Sequence, residues 1–342
     1  MPASRKPPIS LKKRLARLGI GIVLVVGIFY VALVWWCAKE ISQPSRRTAA
    51  AVHLPYLDGS AQAGFVVEKF VSSDGMPCLV CTPVPVVEFS KRAGIIREQL
   101  VEQWAALKPA GEIVGTLLIL HGRKGIKEDY LAVAERFCAV GFRFVIPDLP
   151  GHGENPEVFT TYGVLEAPTI LKCFTEAGEK FGFADQPCVI FGQSMGGAEA
   201  IHTVALDGSP FAAMVVVSSF DKLETVIRGQ ANSLLGTTLG SAVSVPAGQV
   251  YQWRTGVHVS EIDSSEKARH IRIPTLVVHG DTDSMVPTAS GKALFEAIPA
   301  STKKHWLEVP DADHGNILVT DFPLYASIAR WFIEHITQPQ GE

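Results

Sequence analysis

The run Gly192-Gln193-Ser194-Met195-Gly196, extended by Gly197, sets one hydroxyl among glycines directly after the apolar stretch Val189-Ile190-Phe191. A serine is a weak nucleophile until a base takes its proton and donors receive the oxyanion it creates. The spacing suits both needs. A strand that turns at once into a helix holds the serine in a strained backbone conformation, which side chains on its neighbours would obstruct. The helix then aims the backbone N–H of Met195, and the positive end of its dipole, at a developing negative charge. G-x-S-x-G between a buried strand and a helix is the nucleophile-elbow pattern of acyl-transfer chemistry.

Such chemistry requires an acid and then a histidine further along the chain. The histidines after Ser194 are His202, His258, His270, His279, His305, His314 and His335. His314 lies in the polar turn Asp311-Ala312-Asp313-His314-Gly315-Asn316, after an apolar run ending at Val309. A general base needs a loop of this kind, exposed on one edge and fixed on the other. His202 on a helix, His279 in a strand and His335 near the C-terminus read as packing or surface residues. The acid must hold the imidazole tautomer and stabilise the imidazolium. Asp281 and Asp283 both follow the strand-like run before Gly280. Asp281, next to that glycine, suits turn-shaping, which favours Asp283. Asp221, just past Val215–Val217, is a third candidate. The second oxyanion donor is expected in His121-Gly122-Arg123-Lys124-Gly125, after the buried run Leu118-Ile119-Leu120. We assign it to the backbone N–H of Arg123, with Lys124 as the adjacent alternative. His121 precedes the serine and reads as a brace for the loop.

The elements that must position these residues alternate. Short apolar runs at 114–120, 142–146, 188–191, 212–217, 275–278 and 306–309 are separated by amphipathic stretches, among them 127–140, 162–181 and 321–336. An antiparallel pair, 65–71 and 78–82, precedes them, with Ser73-Asp74-Gly75 as its turn. This pattern predicts an α/β fold with a mostly parallel sheet of about eight strands covered on both faces. Two segments interrupt it. Residues 86–112 form an insertion with a helix expected around Ile95 to Leu107. Residues 221–270, rich in Gly, Ser and Thr among short helical stretches, suit a lid over a pocket.

Ahead of this domain, Leu18 to Ala38 is a 21-residue run without charge, long enough as a helix to cross a bilayer. Six cations and no acid precede it in residues 1–17, and Trp35 and Trp36 close it. The charge bias predicts a cytoplasmic N-terminus, one span and a domain on the extracytoplasmic side. The bulky junction Val34-Trp35-Trp36-Cys37 disfavours the rival reading, a cleaved signal peptide. Residues 39–61 read as a linker and 62–337 as the catalytic domain. The net charge of −3, with no long basic run after residue 17, argues against nucleic acid as a partner. Cys78 and Cys81 form a C-x-x-C, but an odd spacing in a strand turns the two thiols to opposite faces.

Four segments carry a resemblance to a known family: His121-Gly122; Asp148-Leu149-Pro150-Gly151-His152-Gly153; the Ser194 elbow; and Gly280-x-x-Asp283-x-x-Val286-Pro287 with His314. Together they resemble the α/β-hydrolase superfamily, especially its serine aminopeptidase and monoacylglycerol-lipase-like branch, over about residues 62–337. The resemblance implies a Ser194–His314–Asp283 triad, oxyanion donors at Met195 and Arg123, a structural role for Asp148–Gly153, and no metal or organic cofactor. It implies a two-step acyl transfer, with an ester as the leading substrate; the anchor, which would hold the pocket near a bilayer, points to lipid-derived esters. A peptidase or amidase remains the alternative, as does a non-catalytic binding protein on the same fold. Gln193 departs from the family, whose members often carry His there, and neither the 86–112 insertion nor the lid matches a substrate class.

Overall fold

The computed structural model describes residues 10–103, 107–319 and 324–336. In chain order the elements are α1 (Leu11–Ser42), α2 (Leu54–Gly59), β1 (Phe65–Val71), β2 (Pro77–Pro83), α3 (Lys91–Gln103), β3 (Gly115–Leu120), α4 (Leu131–Cys138), β4 (Phe142–Pro147), α5 (Glu166–Phe181), β5 (Cys188–Gln193), α6 (Met195–Val204), β6 (Phe211–Val217), α7 (Leu223–Leu235), α8 (Thr237–Thr255), α9 (Ser264–Ala268), β7 (Thr275–Gly280), α10 (Thr288–Ala297), β8 (Lys304–Val309) and α11 (Leu324–Ile336). The strands form one eight-stranded sheet in the order β1-β2-β4-β3-β5-β6-β7-β8. β1 and β2 pair antiparallel, as does β2 with β4, and every pairing from β4 to β8 is parallel.

Strand periodicity divides the core in two. Leu118, Ile190 and Val216 face one layer, while Leu117, Val189 and Val215 face the other. Central strands buried on both faces need continuous apolar sequence, which is why β3, β5 and β6 read as unbroken runs. Cys78 and Cys81 likewise fall into opposite layers.

The structure differs from the sequence-based expectations in several places. The helix expected from Tyr162 begins at Glu166: Tyr162 has φ +55°, and the Glu166 carboxylate turns back to accept the Gly163 N–H (2.9 Å) and the Thr161 N–H. The helix expected up to Leu107 is described through Gln103, residues 104–106 lying outside the described set. The start of the closing helix at Asp321, the basic residues before Ser10 and the domain end at 337 also lie outside it. The segment 221–270 holds two long helices of 13 and 19 residues, α7 and α8, and the short α9. Their Gly, Ser and Thr content and Pro246 lower intrinsic helix propensity. Tertiary packing overrides it: Val34 and Ala38 of α1 cluster with Val243 and Ala247 of α8.

Residues 39–61 are tied down along much of their length. α1 continues to Ser42, whose carbonyl accepts the Thr160 N–H (2.9 Å), and Tyr162 Oη donates to the Ile41 carbonyl (2.9 Å). The Arg46 guanidinium donates to the carbonyls of Asn155 and Glu157. Arg47 pairs with Asp129 at 2.8 Å.

Candidate active site

The elbow is built where β5 meets α6. Ser194 is at φ +53°, ψ −115°, a conformation that costs a non-glycine residue of the order of 1–3 kcal/mol. Its N–H donates to the Val217 carbonyl (2.8 Å), and its own carbonyl accepts from Ser219 Oγ (2.8 Å). Two glycines are required by space: a Cβ on Gly192 would strike the Gly196 carbonyl, and one on Gly196 would strike the Leu120 carbonyl.

Ser194 Oγ lies 2.9 Å from His314 Nε2, and His314 Nδ1 lies 2.8 Å from Asp283 Oδ2. The three side chains arrive from separate elements: the β5–α6 corner, the turn after β7 and the turn after β8. The other Asp283 oxygen accepts the N–H groups of Met285 (3.0 Å) and Val286 (2.8 Å). Burial alone would raise the Asp283 pKa. The hydrogen bond and charge of His314 and the Val286 amide outweigh that and hold it below the ordinary carboxylate value.

Of the other acid candidates, Asp281 is exposed. Asp221 is engaged by Ser290, whose hydroxyl donates to it. His279 sits behind the site, fully buried, with Nε2 against the Val286 carbonyl (2.8 Å) and 3.6 Å from Asp283. Burial lowers its pKa, so it stays neutral beside the carboxylate.

The loop after β3 closes against the elbow: a Cβ on Gly122 would lie 3.7 Å from Ser194 Cβ. Neither the Met195 nor the Arg123 backbone N–H has a hydrogen-bond partner among the described residues. Free donors beside a nucleophile are what a developing oxyanion requires. His121 braces this loop, with Nδ1 on the Gly122 carbonyl (2.9 Å) and Nε2 accepting the Leu149 N–H (3.1 Å). His152 contacts the Pro150 carbonyl, and burial pushes its pKa down to about 3.

Three contacts escaped sequence reasoning. Gln193 accepts from Tyr130 Oη, which also accepts the Gly122 N–H (3.4 Å), linking the elbow to the loop after β3 through one phenol. Buried Lys127 pairs with Asp148 at 2.7 Å and so fixes the Asp148–Gly153 loop. The Arg123 guanidinium donates to the Glu40 carbonyl of α1. Each joins residues remote in sequence, and no local pattern announces them.

A cavity of about 1570 Å3 opens from Ser194 and His314. Its walls combine the loop after β3, α3, α7, α8 and the C-terminal part of α1, and most of the lining is apolar.

The eight-stranded, mostly parallel sheet with its strand-to-helix corner at Ser194 is the α/β-hydrolase fold. Residues 111–245 match the serine aminopeptidase S33 family. A thermostable monoacylglycerol lipase from Bacillus sp. (strain H-257) is 24% identical over 225 residues, covering 62% of this chain and 86% of that protein. Among solved structures, an esterase of Pyrococcus furiosus aligns with a TM-score of 0.59 at 14% identity, covering 86% of this chain and 98% of its own. A membrane phospholipase A aligns with a TM-score of 0.52 at 14% identity, covering 96% of this chain and all of its own.

Proposed function

We propose that the chain is a membrane-anchored carboxylic ester hydrolase acting through an acyl-enzyme. The observation that carries this reading is the continuous hydrogen-bonded line from Ser194 Oγ through His314 to Asp283. His314 Nε2 takes the hydroxyl proton as Ser194 Oγ attacks the ester carbonyl carbon. The N–H groups of Met195 and Arg123 receive the negative charge that gathers on the carbonyl oxygen. His314 returns the proton to the departing alcohol, leaving an acyl-Ser194 ester. Water, deprotonated by the same imidazole, then releases the acid. Asp283 keeps Nδ1 protonated and stabilises the imidazolium.

α1 has a mean hydropathy of 2.6 and is 6% buried over its most apolar 18-residue window. We take it as a single span, with the N-terminus in the cytoplasm and the site on the other side. Esters with apolar acyl groups fit the apolar cavity. A serine peptidase is the second reading, favoured by the aminopeptidase family that residues 111–245 match.

The decisive experiment is covalent. A fluorophosphonate probe should label the wild-type chain and leave Ser194→Ala unlabelled, and p-nitrophenyl ester hydrolysis should vanish with the label. Equal labelling of both would refute the assignment. Turnover of aminoacyl amides above that of esters would favour the peptidase. Protection of the C-terminal domain from protease added outside spheroplasts would reverse the orientation.

A further inference from the structure

α1 and α8 run side by side in the same direction. Tyr30 Oη donates to the Ala242 carbonyl (2.6 Å), and Arg254 Nε donates to Ser42 Oγ (2.9 Å). Both pairs are 212 residues apart, so the two helices keep step between these contacts. The same offset puts Leu239 level with Gly27, inside the uncharged run of α1. Eleven residues separate Gly27 from Ala38, about 16 Å of helix. The α7–α8 turn therefore lies well within the depth that a span at Leu18–Ala38 assigns to hydrocarbon.

The composition of the hairpin follows that depth. From Gly229 to Trp253 the chain carries no Asp, Glu, Lys, Arg or His. Arg254 sits at the base of α8, and on α7 Arg228 pairs with Glu224, eight or more residues before the turn at Gly236. Leu234, Leu239 and Val245 are 81%, 62% and 59% exposed, large apolar surfaces at the end lying nearest the bilayer. Trp253, 75% exposed, packs edge-on against Trp35 with ring centroids 5.6 Å apart, at the level where indoles favour the membrane–water boundary.

We propose that the α7–α8 hairpin is sunk into the extracytoplasmic leaflet beside α1, so that the catalytic cavity opens sideways into the bilayer and takes long-chain acyl esters dissolved there. This rests on the readings of α1 as a span and Ser194 as a nucleophile. The cavity is lined by Ser194 and His314, and also by Leu33 and Trp36 of α1 and Leu234 and Val243 of the hairpin. An acyl chain passing between these helices would meet apolar side chains from leaflet to serine. A polar headgroup would stay at the level of Glu40 and Arg123.

The test uses the full chain in phosphatidylcholine vesicles. A fluorescent NBD label on Leu239→Cys, in a Cys37→Ser background whose other cysteines are buried, should emit to the blue and be quenched by acyl-brominated lipid. The same label on Asp185→Cys, in the turn between α5 and β5, should be quenched by aqueous iodide. Iodide quenching at 239 would overturn the insertion. So would shielding from both quenchers, which would mean that a protein partner covers the tip. Leu239→Asp, outside the cavity lining, should cut turnover of a long-chain ester in the vesicles at least tenfold while p-nitrophenyl acetate turnover stays within twofold. Unchanged vesicle turnover would overturn lateral access. A wild-type chain that hydrolyses neither ester defeats the esterase reading alone, because the depth measurement stands apart from it. Release of the wild-type chain by alkaline carbonate would defeat the span and the insertion together.

Discussion

At the scale of single residues, the site depends on Asp283 being the only carboxylate in contact with His314 among the described residues. Asp283→Asn would present an amide to Nδ1 and favour the wrong tautomer. We expect kcat/KM to fall roughly ten-thousand-fold with the fold intact, measured on a short ester beside a circular dichroism spectrum. Neutral His279 cannot replace the lost charge. Gly196→Ala drives a methyl into the Leu120 carbonyl and should destabilise the domain by about 1–3 kcal/mol, read as a lower midpoint in urea. An unchanged midpoint would mean that the elbow yields more readily than its close contacts suggest. These residues were legible in the sequence because the elbow and its flanking strand are local, and because the acid and the histidine each follow an apolar run. Tyr130 was not legible. Its link from Gln193 to the loop at Gly122 exists only once β3 and β5 pair.

At the scale of elements, the central strands announce themselves and the α7–α8 pair does not. Central strands are buried on both faces, so burial alone dictates their composition. α8 draws on a neighbour more than 200 residues away, and its own Gly, Ser, Thr and Pro content argues against a 19-residue helix. Ala38 and Ala247, both fully buried, let the two helices approach. Ala247→Leu should push them apart at a cost of about 1–3 kcal/mol. The expected readout is faster trypsin cleavage at Arg46 and Arg47. Cleavage at the wild-type rate would show that this packing does not hold the segment after α1. The stretch before β1 read as a linker because Pro44, Pro55 and Gly59 carry no period, while the carbonyls that capture Arg46 belong to a loop a hundred residues on.

For the whole molecule, buried ionisable groups, histidines among them, set the response to acid. Burial holds His152 down to about 3 and His202 down to about 4. A histidine with a folded pKa below its unfolded value near 6.5 binds fewer protons folded than unfolded. Its stabilising contribution is complete above pH 6.5 and is lost as pH falls from there toward the folded value. Each of the two should cost about 2 kcal/mol at pH 5 relative to pH 7.5. Asp283, depressed by His314 and the Val286 amide, adds a loss only below the ordinary carboxylate range. Buried Glu199, whose pKa desolvation raises well above the ordinary carboxylate value, contributes the opposite slope, so the test is differential: between pH 7 and 4 the thermal midpoint of His202→Gln should fall less than that of the wild type. The same pH dependence in His202→Gln and the wild type would contradict the buried, neutral state of that ring.

The last turn of α1 reaches the chemistry through one side chain. Arg123 grips the Glu40 carbonyl with its guanidinium, while its own amide is the donor we assign to the oxyanion. Trimming the protein to a soluble fragment that starts beyond residue 42 would remove that handhold, along with Leu33 and Trp36 from the cavity wall. The loop after β3 would be left without its tether on that side. Rates measured on such a fragment would describe a looser enzyme than the whole chain, with the deficit falling on kcat and on long acyl chains first.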